Sequence, residues 1–170
     1  IKYPIEDSNE YVTVATTRPE TMFGDMAIAV NPKDERYKSL IGKNVILPFV
    51  ARKLPIIGDE YVDMEFGTGC LKITPGHDFN DYEIGKKYAL YETDGEVKTS
   101  NIASDFKPIN IFNDDAWSND NVPEPFNNLD RFKVRKLVIE KLNELELLEK
   151  EEKHHISVPR GERSNVVIEP

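Results

Sequence analysis

The sequence predicts an α+β fold in which an antiparallel or β-barrel-like sheet forms the core and helices lie at its periphery. Short runs of β-branched residues, separated by turn residues, fill the first half of the chain, whereas one long amphipathic helix dominates the second half. The length of 170 residues is that of one domain with a hydrophobic core of its own. We therefore expect a single domain over residues 1–170.

Five strands are predicted in the first half by apolar, β-branched runs that Gly, Pro and Asp residues interrupt. They cover residues 11–16, 26–30, 45–47, 54–57 and 70–74. Pro19 follows the first of these runs and ends it, because proline has no backbone N–H to donate to a neighbouring strand.

Three helices are predicted from capping residues and from apolar residues at helical spacing. They cover residues 32–42, 78–88 and 129–148. Pro32 suits the first position of a helix, Gly42 suits the residue after a helix end, and Asp78 is placed to cap the second helix. The third helix is the longest.

The rest of the chain carries weaker signals. Residues 94–125 are polar and broken by Gly and Pro, apart from one apolar run at 109–112 that predicts a strand. Residues 156–158 and 166–168 flank a turn at 159–161 and predict a closing pair of strands.

The charge balance is acidic, with 22 Lys and Arg residues against 31 Asp and Glu residues and a net charge of −9. Such a surface repels polyanions at long range, which excludes a broad basic face for nucleic acid. If RNA is a partner, we expect other domains of a longer polypeptide to hold it. Residue 1 is Ile rather than Met, and we expect this chain to be a part of such a polypeptide.

Cysteine usage and hydropathy bear on location. Cys70 is the one cysteine, which excludes an intramolecular disulfide framework and a multi-cysteine zinc site and fits a reducing compartment. No apolar run approaches the roughly 18 residues that cross a bilayer. We therefore expect a cytoplasmic protein with no membrane partner.

A first group of candidate site residues follows the first predicted strand. Thr16, Thr17, Arg18 and Thr21 surround Pro19, which stiffens the backbone there. Their hydroxyls and guanidinium supply short-range donors for an anionic or ester-bearing ligand. The same residues also suit a hydrogen-bonded turn without a ligand, and local chemistry alone leaves both interpretations open.

A second group lies where a predicted strand gives way to a helix. The period of two places Cys70, Lys72 and Thr74 on one face of the strand, and the helix places Asp78 and Asp81 together at its N-terminus. A lysine, a hydroxyl and two carboxylates that converge can bind an ammonium group and a hydroxyl together. The alternative is that the two aspartates only cap the helix.

Metal-dependent and nucleophilic chemistry have less support. His77 beside Asp78 and Asp81 offers three donors for a divalent metal, but this spacing recurs by chance and we expect no metal. A Ser-His-Asp order, a nucleophile elbow and a phosphate-binding glycine loop are all missing from the sequence. If the chain is a hydrolase, water is the expected nucleophile.

These stretches resemble the editing domain of the valyl-tRNA synthetases, which are class I aminoacyl-tRNA synthetases. The resemblance rests on residues 16–21 with Gly24 and Asp25, and on residues 67–83. The resemblance covers most of the chain and is weak between residues 91 and 107. Isoleucyl- and leucyl-tRNA synthetases share the same pattern in variant form. Gly76 stands where the valyl pattern more often has Ala, and we expect this to loosen the turn before His77.

The resemblance implies post-transfer editing, which is hydrolysis of the ester in mischarged threonyl-tRNA(Val), with threonyl-adenylate as a further candidate substrate. Valyl-tRNA synthetases are themselves the standard example of a pocket that rejects threonine by only about a hundredfold, so a second pocket must test for the hydroxyl. No cofactor is implied for the editing domain, whereas the parent synthetase uses ATP and Mg. The implied partners are the 3′ acceptor end of tRNA(Val) and the remaining domains of the synthetase.

The resemblance also implies roles for individual residues. Asp81 anchors the α-ammonium group, with Asp78 as the alternative, and Lys72, Thr74 and Asp78 read the threonine hydroxyl. The further substrate-binding residues are Thr16, Thr17, Arg18, Thr21, Phe66 and His77. No side chain stands out as a general base, and a ribose hydroxyl or a backbone group is the alternative.

Three other interpretations stay open. The first is a non-catalytic module that docks the tRNA acceptor end, which a deacylation assay of this domain separates from an editing hydrolase. The second is a metal-dependent hydrolase that uses His77, Asp78 and Asp81, whose activity a chelator would inhibit. The third is the editing domain of an isoleucyl or leucyl enzyme, which a panel of mischarged tRNAs would reveal.

Overall fold

The computed structural model describes residues 1–155, 160–164 and 167. The strands of this part of the chain are β1 (Lys2–Pro4), β2 (Tyr11–Thr13), β3 (Ala27–Val30), β4 (Asn44–Ile46), β5 (Lys53–Gly58), β6 (Cys70–Ile73), β7 (Tyr91–Thr93) and β8 (Glu96–Lys98). The helices are α1 (Phe79–Lys87), α2 (Arg131–Glu144) and short 3₁₀ helices at Pro19–Gly24, Lys38–Leu40 and Ala103–Asp105. The predicted α+β class is confirmed.

The central sheet is mixed. Its order is β6-β3-β5-β8-β7, with β4 paired to β5 off this path, and β1 and β2 form a separate antiparallel pair. β5 runs parallel to both β3 and β8, whereas β6 is antiparallel to β3. The sheet thus contains two parallel pairs in place of the purely antiparallel arrangement expected. No pairing among the described residues joins β6 to β7 into a closed barrel.

The hydrophobic core is one cluster of buried side chains, to which both β3 and α2 contribute. All four residues of β3 are fully buried, as befits a strand with a neighbour on each side. Val134, Val138 and Leu142 follow at intervals of four along α2 and bury one stripe of the helix in the same cluster. The 3₁₀ helix Pro19–Gly24 contacts α2, and its Thr21 hydroxyl accepts a hydrogen bond from Lys72 on β6.

Both long helices confirm their predictions in outline. Asp78 caps α1, and its side chain accepts hydrogen bonds from the backbone of Asn80 and Asp81. α2 begins one residue after its N-cap, Asp130, and ends at Glu144, which makes it shorter than the predicted 129–148.

The helix predicted at residues 32–42 is wrong, because turns and one short 3₁₀ helix fill the segment. The Asn31 side chain accepts a hydrogen bond from the Lys33 N–H, and the Asp34 side chain accepts one from the Arg36 N–H. Such local side-chain bonds compete with the hydrogen bonds of a helix.

Two differences fall in the region predicted to be irregular. Residues 109–112 form no strand, since Phe112 makes only an isolated bridge with Ser118. β7 and β8 form an unpredicted hairpin, whose turn residues Asp94 and Gly95 both have positive φ angles, 52° and 76°.

The predicted closing strands fall largely outside the described residues. Residues 156–158 lie there entirely, and of 166–168 only Val167 is described, in an isolated antiparallel bridge with Arg160. Within the part of the chain that is described, no helix is long and apolar enough to span a bilayer.

Candidate functional site

A cavity of about 290 Å³ lies beside the N-terminus of α1 and the loop that leads into β6. Its lining includes three aspartates, Asp63, Asp78 and Asp81, and no lysine or arginine. Phe66 also lines it and leaves 77% of its surface exposed. A cavity with this lining favours a cationic group over a phosphate.

A larger depression of about 410 Å³ lies on the outer side of α2, next to Phe132 and Arg135. None of the residues singled out from the sequence lines it. The smaller cavity is therefore the candidate site, because Phe66, Asp78 and the buried Asp81, which the sequence singled out, all line it.

Asp81 is the buried acid of this cavity, with 8% of its surface exposed. Its Oδ2 accepts a 2.9 Å hydrogen bond from the Thr74 N–H. Burial raises the pKa of Asp81 to about 7. The hydrogen bond from the Thr74 N–H and the charge of the Lys72 ammonium act in the opposite direction and lower this pKa. Near neutral pH the carboxyl therefore exchanges between its neutral and ionised forms, and a bound cation favours the ionised form.

Asp78 combines the two roles that the sequence left open. Its Oδ1 accepts hydrogen bonds from the Asn80 N–H at 2.9 Å and the Asp81 N–H at 3.0 Å, which caps α1. Asp78 is also exposed and lines the cavity. The helix start thus presents one exposed and one buried carboxylate to the same space.

Lys72 and Thr74 lie behind the cavity wall, in a buried polar network centred on Asp25. Lys72 Nζ donates to Asp25 Oδ1 at 2.8 Å, to Thr21 Oγ1 at 2.9 Å and to Thr74 Oγ1 at 2.5 Å. The Thr74 hydroxyl donates to Asp25 Oδ1 at 2.5 Å, and the Tyr3 hydroxyl donates to Asp25 Oδ2 at 2.6 Å. Asp25 itself is fully buried.

This network changes the interpretation of Lys72 and Thr74 as direct readers of a ligand. Neither residue is among those that line the cavity, and the three partners of Lys72 match its three N–H groups. A buried ammonium requires a counter-charge, which Asp25 supplies. Asp25, at the centre of the network, was not among the residues predicted for the site.

His77 lies in the core rather than at the cavity. Its Nε2 accepts a 3.0 Å hydrogen bond from the Ile111 N–H, and its ring packs edge-on against Phe112. Burial lowers the pKa of His77 to about 4, so the ring is neutral at physiological pH. The lone pair needed for a metal is used in this bond, and His77 does not join Asp78 and Asp81 in a ligand set.

No group of three His, Cys, Asp or Glu side chains within the described ranges is arranged to hold a metal ion. Cys70 lines the cavity as a free, buried thiol. Burial raises the pKa of Cys70 to about 11, which keeps it protonated and a poor nucleophile.

Arg18 connects the loop before α1 to α2 through a buried carboxylate. Its Nη1 donates to the His77 carbonyl oxygen at 2.9 Å, and its Nε lies 3.5 Å from Glu20 Oε1. Glu20, which is 1% exposed, also accepts two 2.8 Å hydrogen bonds from Arg135. Arg18 thus supports the backbone next to Asp78 without lining the cavity.

The threonines around Arg18 form the hydrogen-bonded turn that was one of the two interpretations. Thr16 Oγ1 accepts from the Arg18 N–H at 3.0 Å, and Thr21 Oγ1 donates to the Arg18 carbonyl at 2.9 Å. Thr17 is exposed. None of these threonines lines the cavity.

Among known protein families, residues 33–142 match the family model "Leucyl-tRNA synthetase, editing domain". Three curated relatives named valine–tRNA ligase match the whole chain. They come from Dechloromonas aromatica (51% identity), Coxiella burnetii (51%) and Pelagibacter ubique (52%), and the chain spans 16%, 17% and 18% of their lengths. The solved crystal structure of GlLeuRS-CP1 has a TM-score of 0.59 at 14% identity, with 84% of each chain covered.

Proposed function

This chain belongs to the leucyl-tRNA synthetase editing-domain family, and we propose that it is the editing domain of a valine–tRNA ligase, where it hydrolyses the ester of threonyl-tRNA(Val). The observation that carries the proposal is the cavity in which Asp81 is buried beside Asp78. Identity of 51% with two valine–tRNA ligases over the full chain supports valine rather than leucine or isoleucine.

Asp81 binds the α-ammonium group of the aminoacyl ester. A buried carboxylate forms a strong, charge-assisted hydrogen bond with an ammonium group, and Oδ1 of Asp81 remains for it while Oδ2 holds the Thr74 N–H. The ligand's positive charge draws Asp81 into its ionised form, which burial otherwise disfavours. Binding and ionisation are therefore linked.

Asp78 reads the threonine hydroxyl, while Lys72 and Thr74 lie behind the wall, where the Thr74 N–H holds Asp81. The hydroxyl of threonine can donate to a carboxylate oxygen, whereas the corresponding methyl of valine leaves that oxygen without its partner. The bound ester covers Asp78, which is exposed in the free protein, and an oxygen then left without a partner costs about 1–3 kcal/mol, or about 5- to 150-fold in discrimination. The cognate valyl ester is spared for this reason.

A positioned water performs the hydrolysis. Cys70 is protonated and so does not supply a nucleophile, and His77 is buried away from the cavity. Catalysis then comes from orientation of the ester and from donors near the developing oxyanion. Threonyl-adenylate, which carries the same aminoacyl group, is a second candidate substrate.

The 3′-terminal adenosine contacts the exposed side of the cavity. Phe66 offers an exposed aromatic face for a base, while Thr17 and Arg18 lie on the neighbouring turn. The net charge of −9 and the acidic lining favour an arrangement in which other domains of a cytoplasmic ligase hold the tRNA backbone.

The test is the rate of deacylation of threonyl-tRNA(Val) and of valyl-tRNA(Val) by the full-length ligase that contains this chain. The proposal predicts that kcat/KM for the threonyl ester exceeds that for the valyl ester by about fivefold or more. A preference for mischarged tRNA(Ile) or tRNA(Leu) would assign the domain to another synthetase. No deacylation at all by a ligase that activates valine would reduce the domain to a docking module.

A further inference from the structure

We propose that Asp25 is a positioning residue for Asp81, because it anchors Thr74 and balances the charge of Lys72 behind the cavity wall. The inference rests on the proposed function and extends it to a residue that has no contact with the cavity.

Asp25 lies between the 3₁₀ helix Pro19–Gly24 and β3, and hydrogen bonds fix the position of its side chain. Its Oδ1 accepts from Lys72 Nζ at 2.8 Å and from the Thr74 hydroxyl at 2.5 Å, and its Oδ2 accepts from the Tyr3 hydroxyl at 2.6 Å. Both carboxylate oxygens therefore have partners. With none of its surface exposed, Asp25 depends on these partners in place of water.

Thr74 transmits the position of Asp25 to Asp81. Its hydroxyl donates to Asp25, while its backbone N–H donates to Asp81 Oδ2 at 2.9 Å. The side chain and the backbone of one residue move together, so a shift at Asp25 displaces the N–H that holds Asp81. Only 2% of Thr74 is exposed, which leaves little room for it to adapt.

Asp25 also balances the charge that Asp81 experiences. Three charged groups act on Asp81: Asp78 at the start of the same helix, Lys72 on β6, and Asp25 before β3. Lys72 lowers the pKa of Asp81, whereas Asp78 and Asp25 raise it. Loss of the Asp25 charge leaves Asp78 alone to oppose the effect of Lys72 on Asp81, and loss of Lys72 leaves the effects of both carboxylates unopposed.

The experiment is the pH profile of kcat/KM for threonyl-tRNA(Val) deacylation by the full-length ligase. Asp25→Asn keeps the size of the side chain and removes its charge, so we expect about a tenfold lower maximum and an acid limb moved to lower pH. Lys72→Met should move the acid limb to higher pH. These opposite displacements are the signature of charge, which a loosened structure does not produce.

Tyr3→Phe is the matched control, since it removes one hydrogen bond to Asp25 and no charge at neutral pH. We expect its melting temperature to fall and its acid limb to stay in place. If both Asp25→Asn and Lys72→Met keep the wild-type acid limb and maximum, the inference is overturned. If the wild-type ligase does not deacylate threonyl-tRNA(Val), the proposed function fails instead.

Asp25→Asn leaves Lys72 buried without its counter-charge and can fail to fold. The double variant Asp25→Asn with Lys72→Met carries neither charge and serves in that case. We expect about a tenfold lower maximum and an acid limb displaced less than in Lys72→Met. A double variant with the wild-type profile at every pH would overturn the inference.

Discussion

The backbone N–H of Thr74 donates a 2.9 Å hydrogen bond to Oδ2 of Asp81, and this bond joins the end of β6 to the first turn of α1. It stabilises the ionised carboxylate, whereas burial stabilises the neutral acid, and burial is the larger influence. The acid is therefore held close to its point of half-ionisation near neutral pH.

Asp81→Asn should stabilise the protein at alkaline pH. The pKa of Asp81 is about 7 in the folded state against an ordinary 3.8, so the folded state binds the proton more tightly and loses stability as pH rises from about 4 to 7. Asparagine removes this loss, which is of the order of 4 kcal/mol at pH 8. Urea unfolding at pH 4.5 and pH 8 measures it, and equal pH dependence in both proteins would contradict it.

His77→Gln should reduce the loss of folding stability between pH 7 and pH 4. The pKa of His77 is about 4 in the folded state against an ordinary 6.5, so its contribution is present above pH 6.5 and is lost as pH falls towards 4. Glutamine keeps an acceptor for the Ile111 N–H and cannot gain a proton, which removes a loss of the order of 3 kcal/mol. Thermal unfolding at pH 4 and 7 tests this, with His155→Gln on the exposed surface as control.

Arg135→Met should destabilise the attachment of α2. Arg135 donates two 2.8 Å hydrogen bonds to Glu20, whose side chain is 1% exposed. Removal of Arg135 leaves the buried carboxylate of Glu20 with Arg18, whose Nε lies 3.5 Å away, and costs about 1–3 kcal/mol. Lys141→Met, which breaks an exposed pair with Glu144, should cost about 0.5 kcal/mol or less. Similar losses for the two variants would show that Glu20 has no special dependence on Arg135.

Gly76→Ala should destabilise the protein more than the looser turn expected from the sequence would suggest. A methyl at this position would lie 2.3 Å from the Ile109 carbonyl oxygen, so the 109–111 backbone must move. Overpacking of this kind costs about 1–3 kcal/mol. Gly24→Ala, whose methyl would lie 3.2 Å from the same oxygen, should cost less in the same denaturation assay.

The parts of the fold that depend on local chemistry could be predicted from the sequence. Asp78 was identified as the cap of α1 because its side chain acts on N–H groups two and three residues away. The hairpin of β7 and β8 was missed although Asp94-Gly95 is a typical turn pair, because its two strands are only three residues long each.

The parts of the site that depend on distant partners could not be predicted. Lys72 was placed on the correct strand, but its counter-charge, Asp25, lies 47 residues earlier in the sequence. The resemblance implied that His77 binds the substrate, whereas its Nε2 accepts a hydrogen bond from the N–H of Ile111, 34 residues later. Sequence spacing identifies the residues of one element and does not show which of them face each other across the core.

The most direct test of the editing mechanism is single-turnover deacylation of threonyl-tRNA(Val) by the full-length ligase with Asp81→Ala. Valine activation is measured in parallel, and Asp120→Ala, an exposed aspartate outside the cavity lining, is the control. The loss of the ammonium anchor should lower the deacylation rate by about a hundredfold and leave valine activation unchanged. Deacylation by Asp81→Ala at the rate of the Asp120→Ala control would contradict the assignment of this cavity as the editing site.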